Sequence, residues 1–539
     1  MRLLLLALIA CAPPVGAPPG VMVILQEQQA AWVRSFHPLL ATGGARWPTR
    51  CGIYEPLAIY NRATGAWVPW LATDWRWEEP ARRLRMRMRP GVRWSDGAPL
   101  TVQDVVTSFT LGQRHPALDG AGVWSFLQSV QAIDAETVEF TFSRPYGPGF
   151  GVLATQPIVP DHIWSALADP VTFTNENPVA TGPFTEVRRF DTQIWELGRN
   201  PHYWQGPPAI EALRFPAISS NDQALLALVQ GEVDWAGSFV PAVERTFEAR
   251  DPHFHAWSPQ LGETVFLYAA LSQPPLDDPR LRLGLSQAID RERVVRVAMH
   301  DLTVPSHPSA LSEGYADWRL PDLDDRAVRY DPVAASAILD EAGYLRGPDG
   351  RRVGLDGAPL RLPILVPAGW SDWLRAAQVI HDGLSQIGVD APVQGLDFGA
   401  WFDKVGRGDF ALSLGWSVSG DTPYSFYRSL MSSATYVKPG EPAAGNWHRA
   451  RIPEADGLLA EFEATVDPTE QRRIMGALQR VFVDTLPAIP LFPAPAWGQY
   501  NDTRFVGFPN AADPYAPLTP NASPDPLLVL TRLQPRSAP

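Results

Sequence analysis

The stretch RPGVRWSDGAPLTVQDVVTSF (residues 89–109) places a strand end, a tight turn and a capped helix start next to one another. Ser95, Asp96 and Gly97 form a turn in which Gly97 can supply a positive φ. Thr101 followed by Asp104 fits the Ser/Thr-x-x-acid capping box, with Asp as a shorter variant of the usual Glu or Gln. Val105, Val106 and Phe109 then give the helix a buried face. Each of these residues has a structural duty and none is an obvious catalytic group. The stretch reads as scaffold.

Just upstream, RRLRMRMR (residues 82–89) alternates Leu84, Met86 and Met88 with Arg83, Arg85 and Arg87. That is the pattern of a half-buried strand with a solvated outer face, not of a basic patch. The whole chain carries a formal net charge of −13, with an isoelectric point near 5.3. Nucleic-acid binding needs a basic face to displace counterions, so no nucleic-acid partner is expected.

With 539 residues, 45% hydrophobic and 19% charged, the chain has the make-up of a globular protein long enough for two or three cores. Of its 45 basic residues only Lys404 and Lys438 are lysines. Trp is abundant at 20 residues, and rings of that size left exposed point to a binding cleft. The N-terminus, MRLLLLALIACAPPVGAPPG, has one positive charge, an apolar run and then small residues. The run is too short to span a bilayer and reads as an export signal over residues 1–20. Its end offers two readings, a lipobox in which Cys11 is lipidated or ordinary cleavage near Ala17. Either way Cys51 has no partner and no disulfide framework is expected.

Helix punctuation recurs downstream. Asp331 caps and Pro332 begins a helix that Gly343 ends, and Asp278 with Pro279 repeats the device. SNDQALLALVQGEVDWA predicts a helix from about Asp222, a stop at Gly231 and a strand at 233–235. Short alternating strands occur at 136–142 and 361–367. Strands and helices alternate over most of the chain, an α/β signature. The stretch NAADPYAPLTPNASPDP (residues 510–526) is expected to be an extended tail on the surface.

Residues 89–109 resemble a signature of the family 5 extracytoplasmic solute-binding proteins, receptors of peptide, nickel and oligosaccharide ABC importers. Further segments resemble the family in order: PWLATDW (69–75), PIVPDHIW (157–164), NPVATGPF (177–184), RNPHYW (199–204), ALVQGEVDWA (227–236), PLDDPRLRLGLSQAIDR (275–291) and LPAIPLF (486–492). The resemblance implies an α/β, two-lobed periplasmic-binding-protein fold of type II with an extra subdomain inserted in the first lobe. The implied division is lobe I at 21–55, 174–262 and 487–539, the insert at 56–173 and lobe II at 263–486. It also implies solute capture by lobe closure, ABC permease subunits as partners, a periplasmic or extracytoplasmic location, and a monomer with no cofactor, held at the membrane if Cys11 carries lipid.

Two departures from the family pattern bear on the solute. Ala180 stands where the family usually has the first Gly of Gly-Thr-Gly-Pro. In LGWSVSGDTPYSFYRSL (residues 414–430), peptide-binding relatives tend to carry an Asp four residues before the Pro, pairing with the peptide amine; here that position is Ser419, and Asp421 lies nearer Pro423. An ammonium taken out of water needs a paired carboxylate. PAGWSDWLRAAQVIHDGLSQIGV (367–389), AAGNW (443–447) and GEVDWAGSFVP (231–241) resemble a branch that includes oligosaccharide receptors. Trp235, Trp370, Trp373 and Trp416 are the candidate stacking rings, with Ser419 and Asp421 as candidate polar partners. The solute is expected to be an oligosaccharide or a short peptide.

A secreted hydrolase is the contrasting reading. GWSVS misses the last Gly of a nucleophile elbow, and neither His-Glu-x-x-His nor Cys-x-x-Cys occurs. Asp324 and Asp325 read as solvated loop charges. His162, His381 and His448 have no metal-ligand spacing, so neither a catalytic nor a metal site is expected.

Overall fold

The computed structural model describes residues 17–40 and 52–537. Cys11, Cys51 and the start of the export segment lie outside them. The strands sort into three main sheets. The first runs Phe254–Ala256, Gln499–Asn501, Trp235–Ala236, Val21–Leu25, Ala212–Pro216, Ile194–Arg199, Phe184–Phe190. Its two parallel pairs flank Val21–Leu25, whose residues are all buried, as expected of a strand covered on both faces. The second sheet orders Val393–Leu396, Ile364–Pro367, Leu412–Trp416, Gln260–Ala269 and Ile489–Pro495. The third is antiparallel and falls within 72–142, beside a hairpin of Ala58–Asn61 and Ala66–Pro69. These sheets make up a two-lobed α/β fold with an added subdomain.

The chain passes between the first two sheets at 257–259 and again at 496–498. The two crossings lie side by side, Trp257 N–H donating to Gly498 O at 2.9 Å and Ala496 N–H to Pro259 O at 2.8 Å. The strand Ile489–Pro495 therefore pairs within the second sheet, beyond the boundary expected at 486.

Local punctuation follows the sequence. Asp331 Oδ1 accepts from Ala334 N at 2.9 Å at the start of the helix Pro332–Glu341, and Gly343 follows it at φ 92°. Ser220 caps the helix Asn221–Val229, which starts within a residue of the Asp222 expected from the sequence. The Arg83–Met88 strand buries Leu84, Met86 and Met88, while Arg85 and Arg87 pair outward with Glu139 and Glu136.

The opening stretch proves to be a clasp. Thr101 N–H donates to Asp104 Oδ2 at 2.6 Å, the reach-back of the capping box, and Gly97 has φ 91°. The other oxygen of Asp104 accepts from Asp161 N–H at 2.7 Å, and Ser108 Oγ accepts from Val159 N–H at 2.8 Å. The helix Val102–Arg114 thus secures the 157–164 segment, whose Pro157 lines a large cleft. Ser95 N–H donates to Ala180 O at 2.9 Å, fastening the same stretch to the 177–184 segment. Ala180 is not among the residues with positive φ, so its Cβ meets no backbone strain. Gly182 is different: a Cβ there would come within 2.2 Å of Gly52 O.

Two other family-like segments meet at buried Glu55. Its carboxylate accepts from Trp70 Nε1 at 2.6 Å, Tyr203 OH at 3.1 Å and Trp204 Nε1 at 3.2 Å. Burial pushes the Glu55 carboxyl up from its ordinary range, offset by those donors.

Candidate functional site

A cleft of about 790 Å³ lies between the lobes, continuous in its lining with a deeper chamber of about 140 Å³. Glu27, Arg62, Glu263, Trp370 and Trp416 border both. The insert supplies Tyr60, Arg62 and Trp67, the second lobe the segment from Trp416 to Ser425, and the C-terminal segment residues 521–525. Residues 510–526 are therefore not a surface tail. Ala516, Leu518 and Asp525 are fully or nearly fully buried, because the segment threads back between the lobes.

The aromatic wall is held from behind. Trp416 ends the strand Leu412–Trp416, and Trp370 precedes the helix Ser371–Gln386. Their rings are 6.0 Å apart and inclined by 33°, each partly exposed to the cleft. Trp447 meets Trp416 edge-on at 5.3 Å, and buried Trp373 meets Trp370 edge-on at 4.8 Å. Edge-on neighbours at these separations fix ring planes by quadrupole contact and close packing. The structure thus brings Trp370, Trp373 and Trp416 together, with Trp373 mainly a support.

Trp235 lies elsewhere. It is fully buried, donates Nε1–H to Leu518 O at 2.6 Å and packs against Phe508 in the first-lobe core. The expectation that it faces solute is corrected: its strand, Trp235–Ala236, lies inside the first sheet and turns the ring into the core, where it backs the C-terminal segment.

Ser419 and Asp421 both border the cleft. Ser419 Oγ donates to Glu263 Oε1 at 3.3 Å. Glu263 also holds Arg62 at 3.1 Å, and Arg62 reaches Asp525 at 2.7 Å. One guanidinium from the insert is thereby shared by a second-lobe carboxylate and a C-terminal one. Burial pushes the Asp525 carboxyl up, and the adjacent Arg62 offsets part of that. Asp421 accepts from Trp67 Nε1 at 3.3 Å. Its side chain is open to the cleft, yet the surrounding walls thin its hydration and push its carboxyl up, with the Trp67 bond opposing. Tyr315 OH fixes the intervening Gly420, donating to its O at 2.9 Å and accepting from its N–H at 2.7 Å.

Sequence reasoning missed Arg62, Glu263, Asp525 and Arg428, all on the cleft. The signal was weak, since a buried ion pair between residues hundreds of positions apart leaves no local pattern. The histidines are engaged structurally: His448 Nε2 with Leu430 O at 2.8 Å, His381 Nδ1 with Ala391 O at 2.9 Å and His162 Nε2 with Asp96 Oδ2 at 2.8 Å. Among the described residues, no three His, Cys, Asp or Glu side chains converge as a metal site.

Two lobes joined by paired crossings, with an aromatic and hydrogen-bonding cleft between them, define a solute receptor. Residues 66–437 match the family "Bacterial extracellular solute-binding proteins, family 5 Middle", and the chain belongs to it, a family of substrate-binding components of ABC importers found outside the cytoplasm. It is 25% identical over 521 residues to the di/tripeptide-binding protein 2 of Pseudomonas aeruginosa, covering 90% of this chain and 92% of that protein. It is 24% identical to the nickel-binding periplasmic protein of Escherichia coli, covering 96% and 97%. Among solved structures, a mannohexaose-bound periplasmic oligopeptide-binding protein of Thermotoga maritima superposes with a TM-score of 0.89 at 25% identity, over 97% of this chain and 100% of that one. The nonapeptide complex of AppA from Bacillus subtilis superposes with a TM-score of 0.82 at 18% identity, over 96% and 99%. These proteins are solute binders rather than enzymes. Among the described residues no helix is long and apolar enough to cross a membrane.

Proposed function

We propose that this receptor captures an oligosaccharide by closure of its two lobes and delivers it to the permease of an ABC importer. The observation that carries the reading is the pair of indoles, Trp370 and Trp416, set 6.0 Å apart along the cleft. Sugar rings offer apolar C–H faces to such a wall and a rim of hydroxyls to directional partners. Ser419, Asp421 and the Arg62–Glu263 pair provide those partners. The mannohexaose complex of the Thermotoga protein supports the same class of solute.

A short peptide is the second reading. It is favoured by Asp421 and Arg428 in one cleft, a carboxylate for the amine and a guanidinium for the carboxyl terminus. At the other end of the chain, lipidation of Cys11 would keep the receptor at the membrane; intact mass before and after Cys11→Ser tests that assignment.

Thermal shift against di- to hexasaccharides and di- to pentapeptides separates the two solute readings. A ligand that binds only the folded chain raises the melting point by mass action. Shifts with sugars and none with peptides support the first reading; the reverse pattern sinks it and puts the amine on Asp421.

A further inference from the structure

The deep chamber differs from the main cleft in shape and charge. Trp370, Trp373 and Trp416, which pack on one another, border it together with Phe239, Trp497 and Met299. Its volume of about 140 Å³ is close to the roughly 150 Å³ known to hold one six-membered ring. Two polar atoms on its border lack any partner: Trp370 Nε1 and Ser238 Oγ, the latter on a residue only 1% exposed. Buried donors and hydroxyls are seldom left unmet, and a ligand hydroxyl would satisfy them.

The charges there point one way. Among the described residues, the carboxylates of Glu263 and Asp372 border the chamber, and Arg62 is its only bordering guanidinium. Arg62 is already held by Glu263 and Asp525. Arg428, which borders the main cleft, does not border the chamber. Among the described residues, an anion entering would lose hydration beside these carboxylates and meet no guanidinium that is not already paired.

We propose that this chamber is the terminal subsite of the cleft, taking one uncharged, ring-sized end unit of the solute and rejecting an end that carries a carboxylate. The assignment rests on the oligosaccharide reading above. Ser238 and Trp370 would orient the end unit by its hydroxyls while the rings cover its faces. Asp372, pushed up to about 6 by burial, strengthens the exclusion as it ionises.

Calorimetric titration of the full chain tests this with neutral β-1,4-linked mannooligosaccharides from di- to hexasaccharide. Two acidic sets accompany them, one oxidised to the aldonate at the reducing end and one bearing a uronic acid at the non-reducing end. One acidic set should bind weaker by on the order of 100-fold. Ala494→Leu, which fills the chamber, should abolish the affinity gained from one sugar unit and spare the shorter ligands. Ser238→Ala should weaken the same ligands about tenfold with the melting point kept. Equal binding of both acidic sets, or chamber variants that leave the whole length series unchanged, overturns the proposal alone. Failure of every neutral oligosaccharide to bind the unaltered chain overturns the oligosaccharide reading and this subsite with it.

Discussion

Asn221 Nδ2 donates to Asp372 Oδ1 at 3.0 Å, joining the first residue of a first-lobe helix to the start of a second-lobe helix. The backbone repeats the link, with Asn221 N–H donating to Gly369 O at 3.0 Å. Gln28 Nε2 steadies Asn221 from behind at 3.0 Å. The lobes therefore touch directly here.

That contact leaves no room for a side chain at position 369. A Cβ on Gly369 would lie 2.2 Å from Ser219 O across the gap. Gly369→Ala should fold normally, since Gly369 is not among the glycines with positive φ, but hold the lobes apart. Scattering should then show no ligand-induced compaction, and affinity should fall about 100-fold. Compaction equal to that of the unaltered chain would remove this contact from the closure mechanism.

Asp372 makes the contact sensitive to pH. Burial pushes its carboxyl up to about 6, and the bond from Asn221, backbone donors and Arg375 offset only part of that cost. The folded value exceeds the unfolded one, so the folded chain keeps a proton between about pH 4 and 6 that the unfolded chain has released. Stability from this source is present below that window and is lost as pH rises through about 6. Neutral Asp372→Asn lacks the effect. Relative to it, the unaltered chain should lose roughly 3 kcal/mol between pH 4 and pH 8 in denaturant titrations. Parallel pH profiles would refute the assignment.

Trp416 and Trp235 should separate cleanly on mutation. Trp416→Ala removes a ring presented to the cleft and should weaken solute binding by about 2 kcal/mol, roughly 30-fold. Trp235→Phe leaves the cleft intact but loses core volume and the Leu518 bond. It should cost about 1–3 kcal/mol of stability and leave affinity within about twofold. Equal effects on affinity would mean that Trp235 acts on the site through the C-terminal segment.

Arg291 accounts for one place where arginine matters as arginine. Its guanidinium is buried and donates to Pro490 O at 2.7 Å, Ser286 Oγ at 2.7 Å and Ser286 O at 3.0 Å, tying a second-lobe helix start to the strand Ile489–Pro495. Burial pulls its pKa down to about 9. A lysine has fewer donors and no fork, so Arg291→Lys should cost about 2–4 kcal/mol in urea unfolding. A loss below about 0.5 kcal/mol would show that water replaces the missing donors.

Much of this was readable along the chain. The capping box at Thr101 and Asp104, the Asp-Pro helix starts and the alternation of Leu84, Met86 and Met88 are local, because caps and strand faces depend on residues two to four apart. The ordered family-like segments carried the two-lobed architecture, and the aromatic wall of Trp370, Trp373 and Trp416 was visible as a cluster of ring-rich segments.

Tertiary structure alone decided where those segments face and what they meet. Trp235 and Trp416 each lie in a short strand, yet one fills a core and the other borders the cleft, because sheet register and neighbouring layers set which face is covered. Residues 510–526 have a tail's composition and still run between the lobes, held by Arg62 from more than four hundred residues earlier. Charge pairing at that separation, like the opposition of Gly369 to Ser219, exists only once both lobes are folded and brought together.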